Sequence, residues 1–379
     1  MTQGVLTGRD PRTGEPLRIS WAEGRITSIE PGDEAANGFL APGLIDLQVN
    51  GYGGHDLNAA GLTVETIAAL VDALRRQGVT TFLPTIVTGS HDHISAALAT
   101  IADARRSDAR LARAMPFVHL EGPWIASEDG PRGAHPREHV RPPDLVEFAH
   151  WQALSGNLIG LVTLSPHFDN AVEATRSLVA SGVHVAIGHT SATAEQVHAA
   201  AEAGASLSTH LGNGAAATLP RHPNFIWAQL ADDRLTATFI ADGHHLPADA
   251  FTAMVRAKGP GRSVLVSDTV SAGGLPAGVY DQPVGGRVEL SADGRLSLAG
   301  TPYLAGAALP LGDGVARATR LGGLALADAL DLATVNPGRF VGGRGRLALG
   351  QPADLIRFGW SPGATSLDID TVVVDGVLS

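Results

Sequence analysis

Five polar side chains each follow directly on a short apolar run, and their types are those that bind metals or move protons. In chain order these are Glu121 after VHL, His189 after VAIG, His210 after SLST, Asp242 after TFIA and Asp268 after VLVS. Two imidazoles and a carboxylate, from Glu121, His189 and His210, form a ligand set used by catalytic zinc, which keeps a fourth position for water. One histidine after a strand is more often a hydrogen-bonded loop residue, but three such residues at a shared rim favour a metal site.

An aspartate beside such a metal would have a task of its own. Water bound to a catalytic metal, with its pKa brought to about 7, needs a base to take its proton, and a leaving amine needs an acid. Asp268 has the right type and place, and the alternative for the sequence SDT is a turn or N-cap aspartate. Asp242 in ADGHH fits a structural role as well as a catalytic one, and His245 in the same loop is better placed to touch a substrate.

Two other segments carry candidate binding residues. His135 lies in GPRGAHPREHVRPP (130–143), which has no helical or strand periodicity, and long loops at a barrel rim are usually binding loops. Arg221 in LPRHPNF could hold a phosphate by a bidentate contact or could be an ordinary surface arginine. His91 and His93 form an H-x-H pair, but we expect both to face solvent at the start of an outer helix.

The elements that position these residues alternate between strands and helices. Eight apolar or β-branched runs are predicted as strands: Leu44–Asn50, Thr80–Val87, Pro116–Leu120, Gly160–Leu164, His184–Gly188, Ser206–His210, Thr236–Ala241 and Val264–Ser267. Amphipathic segments fill most of the gaps, and helices are predicted to begin at Thr63 and Ser90. Three further starts resemble capping boxes: Asp144 with Glu147, Asn170 with Glu173, and Thr193 with Gln196.

This alternation indicates a parallel sheet, and eight repeats favour a closed (β/α)₈ TIM-like barrel over an open doubly wound sheet. No GxGxxG turn follows the first strand, which argues against the open alternative. Residues 16–30 and 351–376 contain short strands and turns that are predicted to pair. We therefore predict a small β-sandwich domain from residues 1–42 and 347–379, and a barrel from residues 43–346. Active sites of such barrels lie at the carboxyl ends of the strands.

Composition narrows the classes of function. Lys and Arg number 27 against 38 Asp and Glu, so the net charge of −11 offers no field that attracts nucleic acid. The absence of cysteine removes disulfides, thiolate nucleophiles and Cys-ligated zinc. No signal-like segment opens the chain and no apolar run approaches the roughly 20 residues of a membrane span, so we expect a cytoplasmic protein with no membrane partner.

Eight segments of the sequence together resemble the N-acetylglucosamine-6-phosphate deacetylases of the amidohydrolase superfamily. They are APGLIDLQVNG (41–51), HLEGPW (119–124), RGAH (132–135), GHT (188–190), THLGN (209–213), ADGHH (241–245), SDT (267–269) and LAG (304–306). They occur in the family's order over nearly the whole chain, and HLEGP and THLxN are the most specific of them.

The resemblance implies metal-dependent hydrolysis of N-acetylglucosamine 6-phosphate to glucosamine 6-phosphate and acetate, in amino sugar catabolism or recycling. It implies that Glu121, His189 and His210 bind one divalent metal and that Asp268 accepts and donates the proton. Zinc is the expected metal, with iron, manganese and cobalt as alternatives. The implied substrate contacts are Ala134, His135, Asn213, Gly214, Arg221, Asp242, His245, Leu304, Ala305 and Gly306. Arg221 is expected to reach the sugar phosphate across a homodimer interface.

Many members of the superfamily carry H-x-H at the end of the first strand to hold a second metal, and here the position reads Gln48-Val49-Asn50. Neutral amides are poor ligands beside imidazoles, so we predict a single tightly bound metal. Gln48 and Asn50 are then free to support the substrate or to orient the ligands.

Three further departures from the family pattern bear on the sugar pocket. Asn213-Gly214-Ala215 stands for Asn-Ala-Met, TLSPH (163–167) for Thr-Leu-Ala-Pro-Glu, and Ala307-Ala308 for Ser-Ser. They leave open N-acetylgalactosamine 6-phosphate, an unphosphorylated N-acetyl hexosamine, or another amidohydrolase reaction. A sugar-binding barrel without turnover is the alternative outside catalysis.

Overall fold

The protein is described by a computed structural model for residues 3–378, and its largest sheet has eight strands. These are, from first to eighth barrel strand, Leu44–Val49, Val79–Val87, Val118–Glu121, Ile159–Leu164, His184–Ile187, Leu207–Ser208, Thr236–Ile240 and Ser263–Val266. Each pairs in parallel with the next along the chain. All eight predicted strands are confirmed, with ends that differ by at most two residues.

The first and eighth strands meet where the barrel closes, and a side chain takes part in the closure. The Asp46 carboxylate accepts the backbone N–H of Ser267 at 3.1 Å, so it links the two strands below the rim. Nearer the rim, the N–H of Asp268 donates to the carbonyl of Gln48 at 3.0 Å. The second half of the first strand and the residues just after the eighth strand are therefore held together.

Helices cover the outside of the barrel. Their bounds are Val64–Arg76, His91–Ser107, Ala109–Ala114, Leu145–Ser155, Ala171–Ala180, Ala194–Glu202, Phe225–Ala231, Ala248–Lys258, Leu311–Gly322, Leu326–Asp331 and Val335–Gly338, with 3₁₀ turns at Arg137–His139 and Pro260–Arg262. No helix of the described residues is both long and apolar enough to cross a lipid bilayer.

The predicted helix starts have different outcomes. Thr63, Ser90 and Asp144 cap their helices through side-chain oxygens, and Thr193 forms a complete capping box with the third residue of its helix. A helix begins directly after Asn170 as predicted, but the predicted capping box is absent, because this residue has φ −95° and ψ 6° instead of an extended backbone and makes no cap bond. Its amide donates instead to the carbonyl of Pro143 at 2.8 Å.

Two apolar layers hold the barrel together. One fills the space between strands and helices, where the Val64–Arg76 helix buries one face at Ile67, Leu70 and Leu74. The other fills the barrel interior: Ile45, Leu47, Leu83, Leu161, Ala186, Leu207, Ile240, Val264 and Val266. Alternate residues of a strand point to opposite faces, so six of the eight barrel strands contribute to both layers. The interior is thus packed, and the open end is the rim at the strands' carboxyl ends.

The two ends of the chain pair in one seven-stranded sheet beside the barrel, as predicted. Its strands are Gln3–Arg9, Pro16–Ala22, Arg25–Pro31, Phe39–Pro42, Leu355–Gly359, Asp368–Val374 and Val377–Leu378. Phe39–Pro42 and Leu355–Gly359 run antiparallel and join the two ends. The proposed division at residues 42 and 347 stays a prediction.

Two small sheets lie near the rim and were not predicted. A three-stranded antiparallel sheet, Gly278–Gln282, Gly286–Leu290 and Leu296–Leu298, follows the eighth barrel strand. A short hairpin joins Gly51–Tyr52 to His55–Asp56 after the first strand. The three-stranded sheet matters for the site because the turn after Gln282 reaches the cavity at the rim.

Candidate active site

Four of the predicted site residues come together at the barrel rim. Glu121 ends the third strand, while His189, His210 and Asp268 each lie two residues beyond the ends of the fifth, sixth and eighth strands. The ligand atoms of Glu121, His189 and His210 all lie within 4.8 Å of one another, and the three residues are buried. Asp268 lines the same cavity. The structure therefore assembles these side chains around a shared space.

The three ligand atoms are spaced as a cation would require. Glu121 Oε1 lies 3.2 Å from His189 Nε2 and 3.0 Å from His210 Nε2, and the two nitrogens are 3.1 Å apart. Donor atoms at about 2.1 Å from a shared tetrahedral cation lie roughly 3.4 Å apart. His189 Nδ1 is 2.9 Å from the carbonyl oxygen of Pro131, which can only accept, so Nδ1 carries the proton and Nε2 presents its lone pair. This donor set fits a divalent metal.

The backbone at the site adopts a conformation that residues other than glycine rarely take. The φ angles of His189, His210 and Asp268 are 47°, 28° and 52°, in the left-handed region. Strain of this kind persists only where neighbouring contacts hold it, and it clusters at functional sites. Here the Thr238 hydroxyl accepts the N–H of His210 at 2.7 Å. Three of the four rim residues therefore hold unfavourable backbone angles in a packed setting.

The two amides of the first strand contact the charged groups directly. Gln48 Nε2 donates to Glu121 Oε1 at 2.8 Å, and Asn50 Nδ2 donates to Asp268 Oδ1 at 2.8 Å. The Gln48–Glu121 bond is buried and so shielded from competing water, whereas the Asn50–Asp268 bond is partly buried at the cavity wall. These contacts place Gln48 to orient a ligand carboxylate and Asn50 to orient the acid.

The pKa values of two carboxyl groups of the site are shifted in opposite directions. Burial, followed by the nearby negative charge of Glu121, raises the pKa of Asp268 to about 6. Burial would also raise the pKa of Glu121, but hydrogen bonds and charge from His189 and His210 hold it well below its usual range. One carboxyl is thus a permanent anion suited to a cation, and the other can exchange a proton near neutral pH.

His135 lies beside the ligand histidines. Its ring centroid is 4.4 Å from that of His189, and its Nε2 is 4.0 Å from Glu121 Oε2. Burial, followed by the charge of His189, lowers the pKa of His135 to about 3, so the ring is neutral near pH 7. Its Nδ1 lies 2.9 Å from the Thr88 hydroxyl. Thr88 was not predicted as a site residue. It directly follows the second strand, so the criterion of a polar residue just past an apolar strand would have found it.

The cavity at the rim has a volume of about 170 Å³. Its lining includes the predicted residues Asn50, Glu121, Ala134, His135, His189, His210, Asn213, Gly214, His245, Asp268, Leu304 and Gly306. Five more lining residues were not predicted: Val87, Gly133, Ile240, Val270 and Val284. Most of these are apolar, and an apolar residue at a strand end gives no signal that separates pocket from core.

The other four predicted residues lie outside that lining. Gln48 sits below Glu121, and Ala305 is fully buried in an apolar cluster with residues of the three-stranded sheet. The Asp242 carboxylate accepts a hydrogen bond from His245 Nδ1 at 2.6 Å and two more from backbone N–H groups of the same loop. These contacts hold His245 in place. Arg221 is exposed on the segment before the Phe225–Ala231 helix.

Two histidines outside the ligand set also lie near the cavity. His93 does not simply face solvent: it is half-buried and lines a second cavity beside the first. His119, which no prediction singled out, lies fully enclosed below Glu121, with Nε2 2.7 Å from the Thr163 hydroxyl and Nδ1 3.1 Å from the carbonyl of Leu47. Burial lowers the pKa of His119 to about 4, so it is a neutral packing residue under the site.

Comparison with known proteins agrees with this geometry. Residues 39–378 match the amidohydrolase family model. The N-acetylglucosamine-6-phosphate deacetylase of Bacillus subtilis (strain 168) is 32% identical over 85% of this chain and 81% of its own length. The N-acetylgalactosamine-6-phosphate deacetylase of Escherichia coli O157:H7 is 34% identical over 89% of this chain and 87% of its own.

The fold is similarly close to solved structures. A mutant N-acetyl-D-glucosamine-6-phosphate deacetylase from Mycobacterium smegmatis, in complex with N-acetyl-D-glucosamine-6-phosphate, superposes with a TM-score of 0.88 at 29% identity. The match covers 100% of this chain and 99% of that one. The deacetylase from Thermotoga maritima gives 0.85 at 26% identity, with 99% of each chain covered. The chain therefore belongs to the amidohydrolase family.

Proposed function

We propose that this chain hydrolyses the acetamide of N-acetylglucosamine 6-phosphate, releasing acetate and glucosamine 6-phosphate. The observation that carries the proposal is the joint placement of Glu121, His189, His210 and Asp268 around one cavity at the barrel rim. Relatives that match over most of the chain are deacetylases of N-acetyl hexosamine 6-phosphates. A sugar-binding barrel without turnover would need neither the ligand set nor a carboxyl group with a raised pKa beside it.

Glu121, His189 and His210 would hold the metal, which we take to be zinc, with iron, manganese and cobalt as alternatives. When bound, a divalent metal supplies Lewis acidity toward water and toward the amide carbonyl. Gln48 fixes Glu121, and the carbonyl of Pro131 fixes the tautomer of His189, so the donor atoms are oriented in advance.

Asp268 moves the proton. Its raised pKa, about 6, makes the carboxylate basic enough to accept a proton from the attacking water and acidic enough to return it to the leaving nitrogen. Asn50 holds one carboxylate oxygen at 2.8 Å, which leaves the other free to face the substrate. His135, neutral and 4.0 Å from Glu121, is placed to donate a hydrogen bond to the acyl oxygen as charge develops there.

The sugar would lie on the opposite side of the cavity from His135. Asn213 and Gly214 follow the sixth strand, His245 follows the seventh, and Leu304 and Gly306 close the wall after the eighth. Gly214 has φ 57°, and a Cβ there would lie 2.8 Å from His189 Nδ1, so the site needs glycine at this position. The family's alanine would not fit here without movement of the ligand histidine.

Arg221 would complete the phosphate site. It is exposed and outside the cavity lining of its own chain, so it is free to contact a substrate bound to a second copy. We propose a homodimer in which each Arg221 grips the phosphate held by the other subunit. The exposed Trp227, on the helix that follows the Arg221 segment, would be covered in such a dimer.

N-Acetylgalactosamine 6-phosphate is the second candidate substrate, because the 34% identical relative from Escherichia coli acts on that sugar by name. The replacement of the family's Asn-Ala-Met by Asn213-Gly214-Ala215 alters the wall that would meet the sugar. The ratio of kcat/KM for the two phosphates decides between them.

The test is an acetate-release assay with both N-acetyl hexosamine 6-phosphates and both plain sugars, on protein whose metal content is measured. We expect turnover of the phosphorylated glucosamine derivative at about one metal per subunit. Equal rates with and without phosphate would favour another amidohydrolase reaction. No acetate from any sugar, with metal bound, would overturn the proposal.

A further inference from the structure

Side-chain hydrogen bonds join the segments that follow the fourth and fifth barrel strands, and we call this chain of His167, Ser165 and Thr190 the hydroxyl bridge. Ser165 Oγ lies 2.7 Å from Thr190 Oγ1 and 2.6 Å from His167 Nδ1. Thr190 Oγ1 in turn accepts the backbone N–H of Ala192 at 3.0 Å. Ser165 directly follows the fourth strand, and Thr190 directly follows the ligand residue His189. The hydroxyl bridge therefore ends beside a metal ligand.

A serine beside a histidine can act as a nucleophile, but the position of Ser165 excludes that role. Ser165 is fully buried, and none of residues 163–167 lines the active-site cavity. A substrate in that cavity therefore cannot reach the Ser165 hydroxyl. The TLSPH segment, in which Ser165 and His167 depart from the family's Thr-Leu-Ala-Pro-Glu, thus contacts the loop of a metal ligand and not the sugar.

Only one arrangement of protons gives every hydroxyl of the bridge a partner. Because Thr190 already accepts from Ala192, its own proton is left to donate to Ser165. The Ser165 proton then points at His167 Nδ1, which must present a lone pair. Burial lowers the pKa of His167, which favours this neutral ring. The reverse direction would leave the proton of Thr190, a residue only 2% exposed, without a partner, which is costly.

The bridge supports a loop whose backbone is strained. His189 has φ 47°, a conformation that persists only where the surrounding structure holds it. The backbone N–H of Thr190 reaches the carbonyl of Gly214 at 3.3 Å, which is long for such a bond. The 2.7 Å bond from Thr190 to Ser165 is shorter and is fully buried. The hydroxyl of Thr190 is therefore the firmer attachment of the residue that follows His189.

We propose that Ser165 and His167 are positioning residues of the metal centre. By holding Thr190 they keep the neighbouring His189 in ligand geometry, and they thereby raise the affinity of the site for its metal. The inference rests on the proposed function, because it takes its metal ligands from there, and it adds two residues outside both the ligand set and the cavity lining. Gln196 supports the same loop, since its amide donates to the carbonyl of His167 at 3.3 Å.

The main experiment removes one hydroxyl at a time and measures metal affinity. The zinc-loaded enzyme is equilibrated with graded amounts of a chelator, and the retained zinc is measured. Ser165→Ala and Thr190→Val should each weaken zinc affinity by about tenfold, at the low end for contacts that support a ligand. Thr190→Ser keeps the hydroxyl and should keep near wild-type affinity. The matched control is Thr175→Val, because Thr175 is fully buried and its hydroxyl donates to the carbonyl of Ala171 within a helix.

A double variant tests whether the two hydroxyls act through one bond. Ser165→Ala combined with Thr190→Val should lose about as much zinc affinity as either change alone, because both remove the same contact. Losses that multiply would show that the two side chains act separately and would overturn the bridge. At the other end, His167→Asn offers an amide oxygen as acceptor and should retain more zinc affinity than His167→Leu.

Stability measurements separate positioning from a merely structural role. A structural role would lower the melting temperature of the variants and leave zinc affinity unchanged. Positioning predicts that the rise in melting temperature on loading zinc is smaller in Ser165→Ala than in the wild type, since that rise grows with affinity. At saturating zinc, kcat should stay near the wild-type value. Wild-type zinc affinity in both Ser165→Ala and Thr190→Val would overturn the inference and leave the proposed function intact, whereas a wild-type enzyme that binds no metal would overturn the proposed function itself.

Discussion

The ligand side of the barrel mouth and the Arg221 segment differ in how much of their geometry one chain can supply. Glu121, His189 and Asp268 are each held by a further polar contact, from Gln48, the carbonyl of Pro131 and Asn50 respectively. The segment before the Phe225–Ala231 helix is exposed, and its arginine lies outside the cavity lining. The difference suits the proposed function, in which bond breaking is organised within one subunit and Arg221 of a second copy would bind the phosphate.

If that contrast is right, the largest loss comes from the ligand set. His210→Ala should lower bound metal to well below one per subunit and reduce kcat/KM by about 10³-fold or more, because Lewis acidity supplies several kcal/mol of the barrier reduction. Metal analysis and acetate release on the same sample check this. His150→Ala, a surface histidine, is the control. Full metal content in the His210 variant would contradict the assignment.

Replacement of Asp268 should reduce activity less than replacement of His210 does, and it should not reduce metal content. Asp268→Asn keeps the hydrogen-bonding shape but cannot accept the proton, so kcat should fall by about 10²- to 10⁴-fold while metal content stays near wild type. Single-turnover acetate release and metal analysis separate the two effects. Near-native turnover would show that another group carries the proton.

Substitutions of Gln48 and Asn50 should separate metal binding from proton transfer. Gln48→Ala removes the donor to Glu121 and should weaken metal affinity by about 10- to 100-fold, as losses of such supporting contacts do. Asn50→Ala removes the donor to Asp268 and should lower kcat without changing metal affinity. Competition with a chelator measures the first, and steady-state kinetics the second. Equal changes of metal affinity and kcat in the two variants would show that Gln48 and Asn50 do not have separate roles.

The barrel and its rim were predictable because both leave a strong local signal. Apolar runs of strand length mark the eight strands, and a polar residue just past each run marks the rim, which is how Glu121 and Asp268 were found. Asn170 failed as a cap because a sequence pattern does not fix the backbone angles that aim its side chain. Asp46 gave no usable signal either, since its role in closing the barrel depends on contact with Ser267, far away in the chain.

The cavity on the strand 2 and 3 side was missed for a related reason. His93 has the amphipathic context of a surface helix residue, and the cavity beside it is formed only by the packing of residues 134–139 and of the turn at Pro283. Spaces formed between loops depend on tertiary contacts that periodicity does not encode. The same holds for the three-stranded sheet, whose turn residue Val284 lines both cavities.

The smallest effect should come from the exposed side of the comparison. Arg221→Ala should raise KM for the sugar phosphate by about tenfold, at the low end for a hydrogen bond to a charged group, with little change in kcat. Activity on the unphosphorylated sugar should not change, and Arg320→Ala, an exposed arginine of the Leu311–Gly322 helix, is the control.

Mixed dimers test directly whether Arg221 binds the phosphate held by the other subunit. Mixed dimers of Arg221→Ala and Asp268→Asn chains should contain one subunit with an intact acid and an intact neighbouring arginine, because each variant supplies what the other lacks. Mixing the two variants should therefore restore a low-KM phase of up to about a quarter of wild-type activity, as expected for random exchange of subunits that each act across one interface. Sedimentation and steady-state kinetics on the mixture measure it. A simple average of the two parent curves would mean that Arg221 acts within its own chain or not at all, and the ligand side and the Arg221 segment would then belong to one subunit.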